Sequence, residues 1–317
     1  MKLKDVYDLL IKKGIEADPR GVELVKRSLH RTNVEYGKLS EKDKKEFDLE
    51  TLTNPYADTR ILYGDPKREI KKILVGIDME TAELVMADRL NERKAHIDLV
   101  MAHHPEGMAL AGLYQVMNIQ TDILNRAGVS ITVAEGIMRE RITEVERGLS
   151  PINHTRSVDA ARLFDIPFLC CHTPADNCVA TYLTRLTEKK GCESVGDIMD
   201  ILREIPEYRD AAAQKAPPKI IKGDRAARSG KIFVDMTGGT EGSKDMFTKL
   251  VDAGVGTLIC MHLSERHFEK AKTELMNIVV AGHIASDNLG VNLILDEIQK
   301  KEKISIVPCS GFRRFER

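Results

Sequence analysis

Lys71-Lys72-Ile73-Leu74-Val75-Gly76-Ile77-Asp78 is the stretch whose reading decides the fold. Its apolar side chains run together without polar alternation, which describes a short strand buried on both faces, as in sheets covered by helices on either side. Downstream, Ala82, Leu84, Val85, Ala87 and Leu90 recur at helical spacing. A second apolar run, Ile97-Asp98-Leu99-Val100-Met101-Ala102, then ends in His103-His104-Pro105. Strand, helix and strand make a βαβ unit, whose parallel strands deliver loop residues to one sheet edge, the usual place for chemistry in open α/β sheets.

The pattern returns as Lys231-Ile232-Phe233-Val234-Asp235-Met236, a helix through Phe247, Leu250 and Val251, and Val255 to His262. Asp78-Met79 maps onto Asp235-Met236 with an offset of 157, and His104 onto His262 with an offset of 158. That agreement predicts an internal duplication. Each copy is expected to continue into a further strand, Val129 to Ala134 in the first and Asn277 to Gly282 in the second. The expected class is α/β, with internally duplicated lobes whose mixed or parallel sheets are flanked by helices. Residues 1–55 read as an N-terminal helical extension, with two helices broken at Asp18-Pro19 and a capping box at Ser40 and Asp43. Residues 56–215 read as the first lobe, with an insertion near 135–165, and 216–317 as the second; Ala216-Pro217-Pro218 and the polar segment after it mark the boundary.

Composition narrows the function classes. The 42% hydrophobic and 31% charged fractions fit a soluble globular protein, with no apolar run long enough to cross a bilayer. The 48 basic and 49 acidic residues leave a net charge of −1, and with no tryptophan and 5% aromatics this speaks against nucleic-acid binding. The first residues lack the apolar stretch of a secretory signal, so cytoplasmic residence is expected. Six cysteines, at 170, 171, 178, 192, 260 and 309, are too irregular for a disulfide framework and read as reduced thiols. Three of them surround His172, which raises a Cys/His zinc site, although no paired C-x-x-C knuckle supports it.

Three segments carry candidate ligands, each just after an apolar strand. His103 and His104 precede a proline whose turn can aim both into one cleft, though histidine also caps helices. His283 and Asp287 are four apart at a helix start and share a face, unless Ser286 or Asp287 merely caps that helix. Asp176 follows His172-Thr173-Pro174, where an Asx turn is the plain alternative. A glycine-rich loop, Thr237 to Lys244, matches neither a P-loop nor a dinucleotide fingerprint and reads as a tight turn.

Together, the Leu74-Val75-Gly76-Ile77-Asp78 strand, His103-His104-Pro105, His172-Thr173-x-x-Asp176 and Gly282-His283-x-x-Ser286-Asp287 resemble the Ngg-one-interacting-factor-three-like family, also known as GTP cyclohydrolase 1 type 2 homologues. The resemblance spans roughly residues 55 to 312. It implies a duplicated α/β fold, a dinuclear metal site and often a ring-shaped homohexamer. The ligands it implies here are His103, His104, Asp176, His283 and Asp287. The chain departs from the family pattern in three ways. Asp287 stands where glutamate is usual, the insertion brings Glu135, Glu140 and Glu144 as other carboxylates, and Met261 to His267 replaces a Thr-Gly-Glu type segment.

Three imidazoles and two carboxylates suit a pair of divalent Zn, Fe or Mn ions better than Ca or Mg, which prefer oxygen ligands. Two such ions point to a metal-dependent hydrolase acting on a small molecule, a nucleotide or other heterocycle as the cyclohydrolase name suggests. His262, Glu265 and His267, at the duplicated strand end, are the candidates for proton transfer. The competing expectation is a non-catalytic metal-binding, interaction or regulatory protein.

Overall fold

The chain forms nine strands: β1 (Arg60–Tyr63), β2 (Lys72–Gly76), β3 (Leu99–Ala102), β4 (Phe168–Cys170), β5 (Lys219–Lys222), β6 (Lys231–Asp235), β7 (Val255–Cys260), β8 (Asn277–Val280) and β9 (Ser305–Pro308). The computed structural model describes residues 1–317. One sheet has the order β1-β4-β3-β2-β9 and the other β5-β8-β7-β6. Four strands run parallel in the first and three in the second, and the first-entered strand of each closes one edge antiparallel, β1 on β4 and β5 on β8. The duplicated α/β architecture expected from the sequence is therefore present twice over, with β9 added to the first copy alongside β2. The segment 216–317 thus sends its last strand into the sheet of the first lobe.

The third strand of the first copy is not Val129 to Ala134, as expected, but β4. Residues Ile131–Leu149 form a helix instead. Its β-branched start resembles a strand locally, yet Ala134 and Met138, four apart, are the pair it buries in the core around Phe247 and Leu250. A helix over Arg156–Leu163 completes the insertion. The linker after Ala216 also contains β5, whose alternating exposed and half-buried residues conceal it from an apolar-run search. The expected N-terminal helices appear as Leu3–Glu16 and Val22–Lys38, and Ser40 caps Glu41–Glu46 by accepting from the Asp43 amide.

Two long helices, Thr173–Lys190 after β4 and His283–Lys301 after β8, lie against each other at the centre. They pack tightly at Gly290, where a methyl group would stand 2.4 Å from the Ala175 carbonyl oxygen. Gly282 opens the second helix at a φ of 113°, a conformation that side chains resist. The carboxyl ends of β3, β4, β7 and β8 consequently meet at the starts of these helices.

Candidate metal centre

The amides of His103 and His104 extend the sheet by donating to the carbonyls of Gly76 and Ile77, at 3.0 and 2.9 Å. Asp176 projects from the first turn of one central helix and Asp287 from just beyond the first turn of the other, both buried. His103 Nε2 lies 3.5 Å from Asp176 Oδ1 and 3.5 Å from Asp287 Oδ1. His104 Nε2 lies 3.4 Å from Asp287 Oδ2, and His283 Nε2 lies 3.5 Å from the same oxygen. All five ligand candidates converge.

A sixth residue joins them. His172 Nε2 stands 3.7 Å from Asp176 Oδ2, and His172, His103 and Asp176 form one donor group, beside a second made of His103, His104 and Asp287. The signal for it was available in the sequence: His172-x-x-x-Asp176-Asn177 and His283-x-x-x-Asp287-Asn288 repeat one pattern. None of the cysteines enters either group, and Glu135, Glu140 and Glu144 stay outside both on the inserted helix.

The hydrogen bonds behind the cluster fix which nitrogen faces it. His103 Nδ1 donates to the Cys171 carbonyl at 3.0 Å, His104 Nδ1 to Asp78 at 2.6 Å, and His172 Nδ1 to Asp58 at 2.8 Å. Each imidazole then presents Nε2 to a carboxylate, the orientation that outer partners impose on metal-binding histidines. Four of the five buried polar side-chain atoms without a partner lie here: His103 Nε2, Asp176 Oδ1 and both oxygens of Asp287. Buried acceptors facing one another are costly unless a cation lies between them. The spacing fits that cation, because nitrogen and oxygen ligands at ~2.0–2.2 Å in tetrahedral geometry stand about 3.4 Å apart. These buried His and Asp groups could hold a metal ion.

The electrostatics agree. Burial alone would depress the His172 imidazole, but Asp176 and Asp58 hold it up at about 9. Burial alone would raise Asp287, yet His103 and His104 keep it well below the ordinary carboxylate range. Asp176, in contrast, is lifted by burial to about 6. His283 is lowered to about 4, first by burial and then by His262 and His104 against the pull of Asp287, leaving it a neutral imidazole near pH 7. The cluster demands positive charge.

A cavity of about 310 Å³ opens over it, with β6, β7 and the Thr237 to Lys244 loop forming the far wall. His262 stands on that wall, its ring centroid 4.8 Å from that of His283 and its Nδ1 3.4 Å from Glu241 Oε1. Glu265 and His267 do not line the cavity. Glu265 is exposed on the next helix, and both ring nitrogens of His267 are taken, by Ser264 Oγ and by the Gly242 carbonyl, each at 2.9 Å. Glu241 and Asp235 also line the wall and were not foreseen as site residues. The loop itself, read as a tight turn, is clamped by Gln120 Nε2, which donates to the Gly238 and Thr240 carbonyls at 2.6 and 2.7 Å.

No family model and no curated protein matches this sequence. Among solved structures, the chain is similar to a NIF3 superfamily protein from Sphaerobacter thermophilus, with 27% identity and a TM-score of 0.70 over 80% of this chain and 91% of that one. It is also similar to reduced HcgD from Methanocaldococcus jannaschii, with 14% identity and a TM-score of 0.50 over 84% and 94% of the two chains. The second likeness speaks to fold alone. With the duplicated sheets, the sequence identity to the first and the four motifs gathered at one centre, the chain belongs to the NIF3 superfamily.

Proposed function

We propose that the protein binds two divalent transition-metal ions through His103, His104, His172, Asp176, His283 and Asp287, and uses them as a metal-dependent hydrolase. The observation that carries this reading is the convergence of four imidazole Nε2 atoms on two carboxylates, with His103 Nε2, Asp176 Oδ1 and both oxygens of Asp287 left buried without a partner. Ions bound there would polarise a carbonyl or phosphoryl oxygen and acidify water. His103, His172 and Asp176 are all buried, which suits a closed, structural position. His104 and His283 reach the cavity, with side chains 27% and 40% exposed, so chemistry belongs on their side. Of the three proton-transfer candidates, His262 is the one on the cavity wall. Glu241 Oε1 faces its Nδ1 at 3.4 Å, leaving Nε2 to exchange a proton with a substrate.

The reaction class follows the family resemblance, hydrolysis of a nucleotide or other heterocycle as in a GTP cyclohydrolase. Cytoplasmic residence, supported by six free cysteines, and assembly into a homo-oligomer such as a hexamer belong to the same proposal. A second reading, a non-catalytic metal-holding protein, draws on the near-complete burial of Asp176 and Asp287. Elemental analysis of wild type, His103→Ala and Asp287→Ala tests the common premise. About two transition-metal ions per chain, lost in both variants, is the expected result. Full retention in the variants, or no uptake by wild type after reloading with Zn, Mn or Fe, refutes it.

A further inference from the structure

Of the four carboxylates that line the cavity, Asp235, the last residue of β6, is the one without an assigned task. Its carboxylate makes no hydrogen bond and no ion pair in the protein, whereas the other cavity carboxylates face imidazoles within 4 Å. Its setting is also unfavourable. Burial comes first in raising its pKa to about 6, and Glu241 adds to that rise while His262 opposes it. Strand structure does not call for an acid here. Asp235 pairs with Cys260 as Gly76 pairs with Ala102, so strand register puts Asp235 at the level of Gly76 and not of Asp78. Aspartate is a poor strand former, and Asp235 stands here half-buried on the cavity wall with no donor from the protein.

The composition of the cavity says what would satisfy it. A carboxylate only accepts hydrogen bonds, so its partner must bring N–H or O–H donors. The lining contains four carboxylates, Asp176, Asp235, Glu241 and Asp287, and neither lysine nor arginine. Phosphate-binding sites gather such cations in bidentate or point-charge contacts. This wall is built the other way.

We propose that Asp235 is the substrate-recognition carboxylate of this cavity and takes a neutral or cationic nitrogen group, an amide, amidine or amine, whose N–H donors it accepts. This rests on reading the cavity as the reaction site, and it narrows the hydrolase to substrates presenting nitrogen to the β6 wall while the bond to be cleaved lies over the histidines. A polyphosphate tail is excluded from that wall.

The test uses two fragments of matched shape and opposite charge, benzamidine and benzoate, titrated calorimetrically into wild type, Asp235→Asn and Asp235→Ser, with metal content measured on each sample. Benzamidine is expected to bind wild type and to weaken at least tenfold in both variants, while benzoate binding and metal content stay unchanged. Equal benzamidine affinity in a folded variant, no benzamidine binding to wild type, or equal loss of both fragments overturns the assignment. Failure of wild type to hold metal would refute the hydrolase reading separately, because the benzamidine comparison does not depend on an ion.

Discussion

Replacing Gly290 with alanine should unseat the proposed metal centre without touching any of its proposed ligands. The added methyl would stand 2.4 Å from the Ala175 carbonyl oxygen and 2.8 Å from its carbon, where ordinary contact begins at 3.4 Å. The obstacle is backbone, so no side chain can rotate aside, and the two central helices must part by about 1 Å. Alanine gains ~1 kcal/mol of helix propensity over glycine, against an overpacking cost of ~1–3 kcal/mol that a rigid neighbour pushes to its upper end. A net loss of about 1–2 kcal/mol is expected in urea unfolding. Gly290 is one turn beyond Asp287, and Ala175 is next to Asp176, so the displacement falls on the two carboxylates that His103 Nε2 faces at 3.5 Å each. Ligand positions tolerate only ~0.2 Å, so metal retention measured by elemental analysis should fall together with stability. Gly136→Ala is the control, since nothing lies within 4 Å of its methyl position, and it should stabilise by up to ~1 kcal/mol. A Gly290→Ala protein as stable as that control and fully loaded with metal would refute the reasoning.

Two further outcomes follow from the partners of the site histidines. Asp58→Asn removes the carboxylate that holds His172 Nδ1 at 2.8 Å, and should weaken metal retention against a competing chelator by ~10–100-fold. Glu241→Gln tests the Glu241–His262 pair through melting temperature against pH. The carboxylate is lowered from 4.5 to about 2, where burial opposes the shift and the His262 and Ser264 hydrogen bonds outweigh it. Its stabilisation is therefore present above 4.5 and lost as pH falls towards 2. His262 is raised above 6.5, chiefly by its hydrogen bond to Glu241, so its share is full below 6.5 and is lost as pH rises through the raised value. The gap between wild type and variant should be widest from about pH 4.5 to 6.5 and narrow on both sides; a gap independent of pH would contradict the pairing.

The central strands were legible because burial on both faces leaves an uninterrupted apolar run, as in Ile73 to Val75 and Leu99 to Ala102. Of the edge strands, β1, β5 and β9 were not, because most of their residues are half-buried or exposed and polar side chains stand among apolar ones, whereas β6 kept a readable Ile232-Phe233-Val234 run. Val129 to Ala134 misled because β-branched residues are shared by strands and by helix starts, and which they become was settled by the packing of Ala134 and Met138. Within the site, adjacent His103 and His104 and the spaced His283 and Asp287 announced themselves. Asp58, Asp78, Asp235 and Glu241 could not, since each is a lone acid whose meaning comes from what the fold brings beside it.

The placement of β9 bears on how the molecule is made. It hydrogen-bonds to β2 through Lys72 to Val75, strands separated by more than two hundred residues of chain. A growing polypeptide folds from its N-terminal side, so β2 spends most of synthesis as an open sheet edge. The helix bearing His283 and Asp287 emerges just ahead of β9, and the proposed ligands contributed by the early residues wait for it. A chain interrupted before residue 283 would therefore carry four of the six proposed ligands and an unpaired edge, two features by which a cell can tell a fragment from a finished copy.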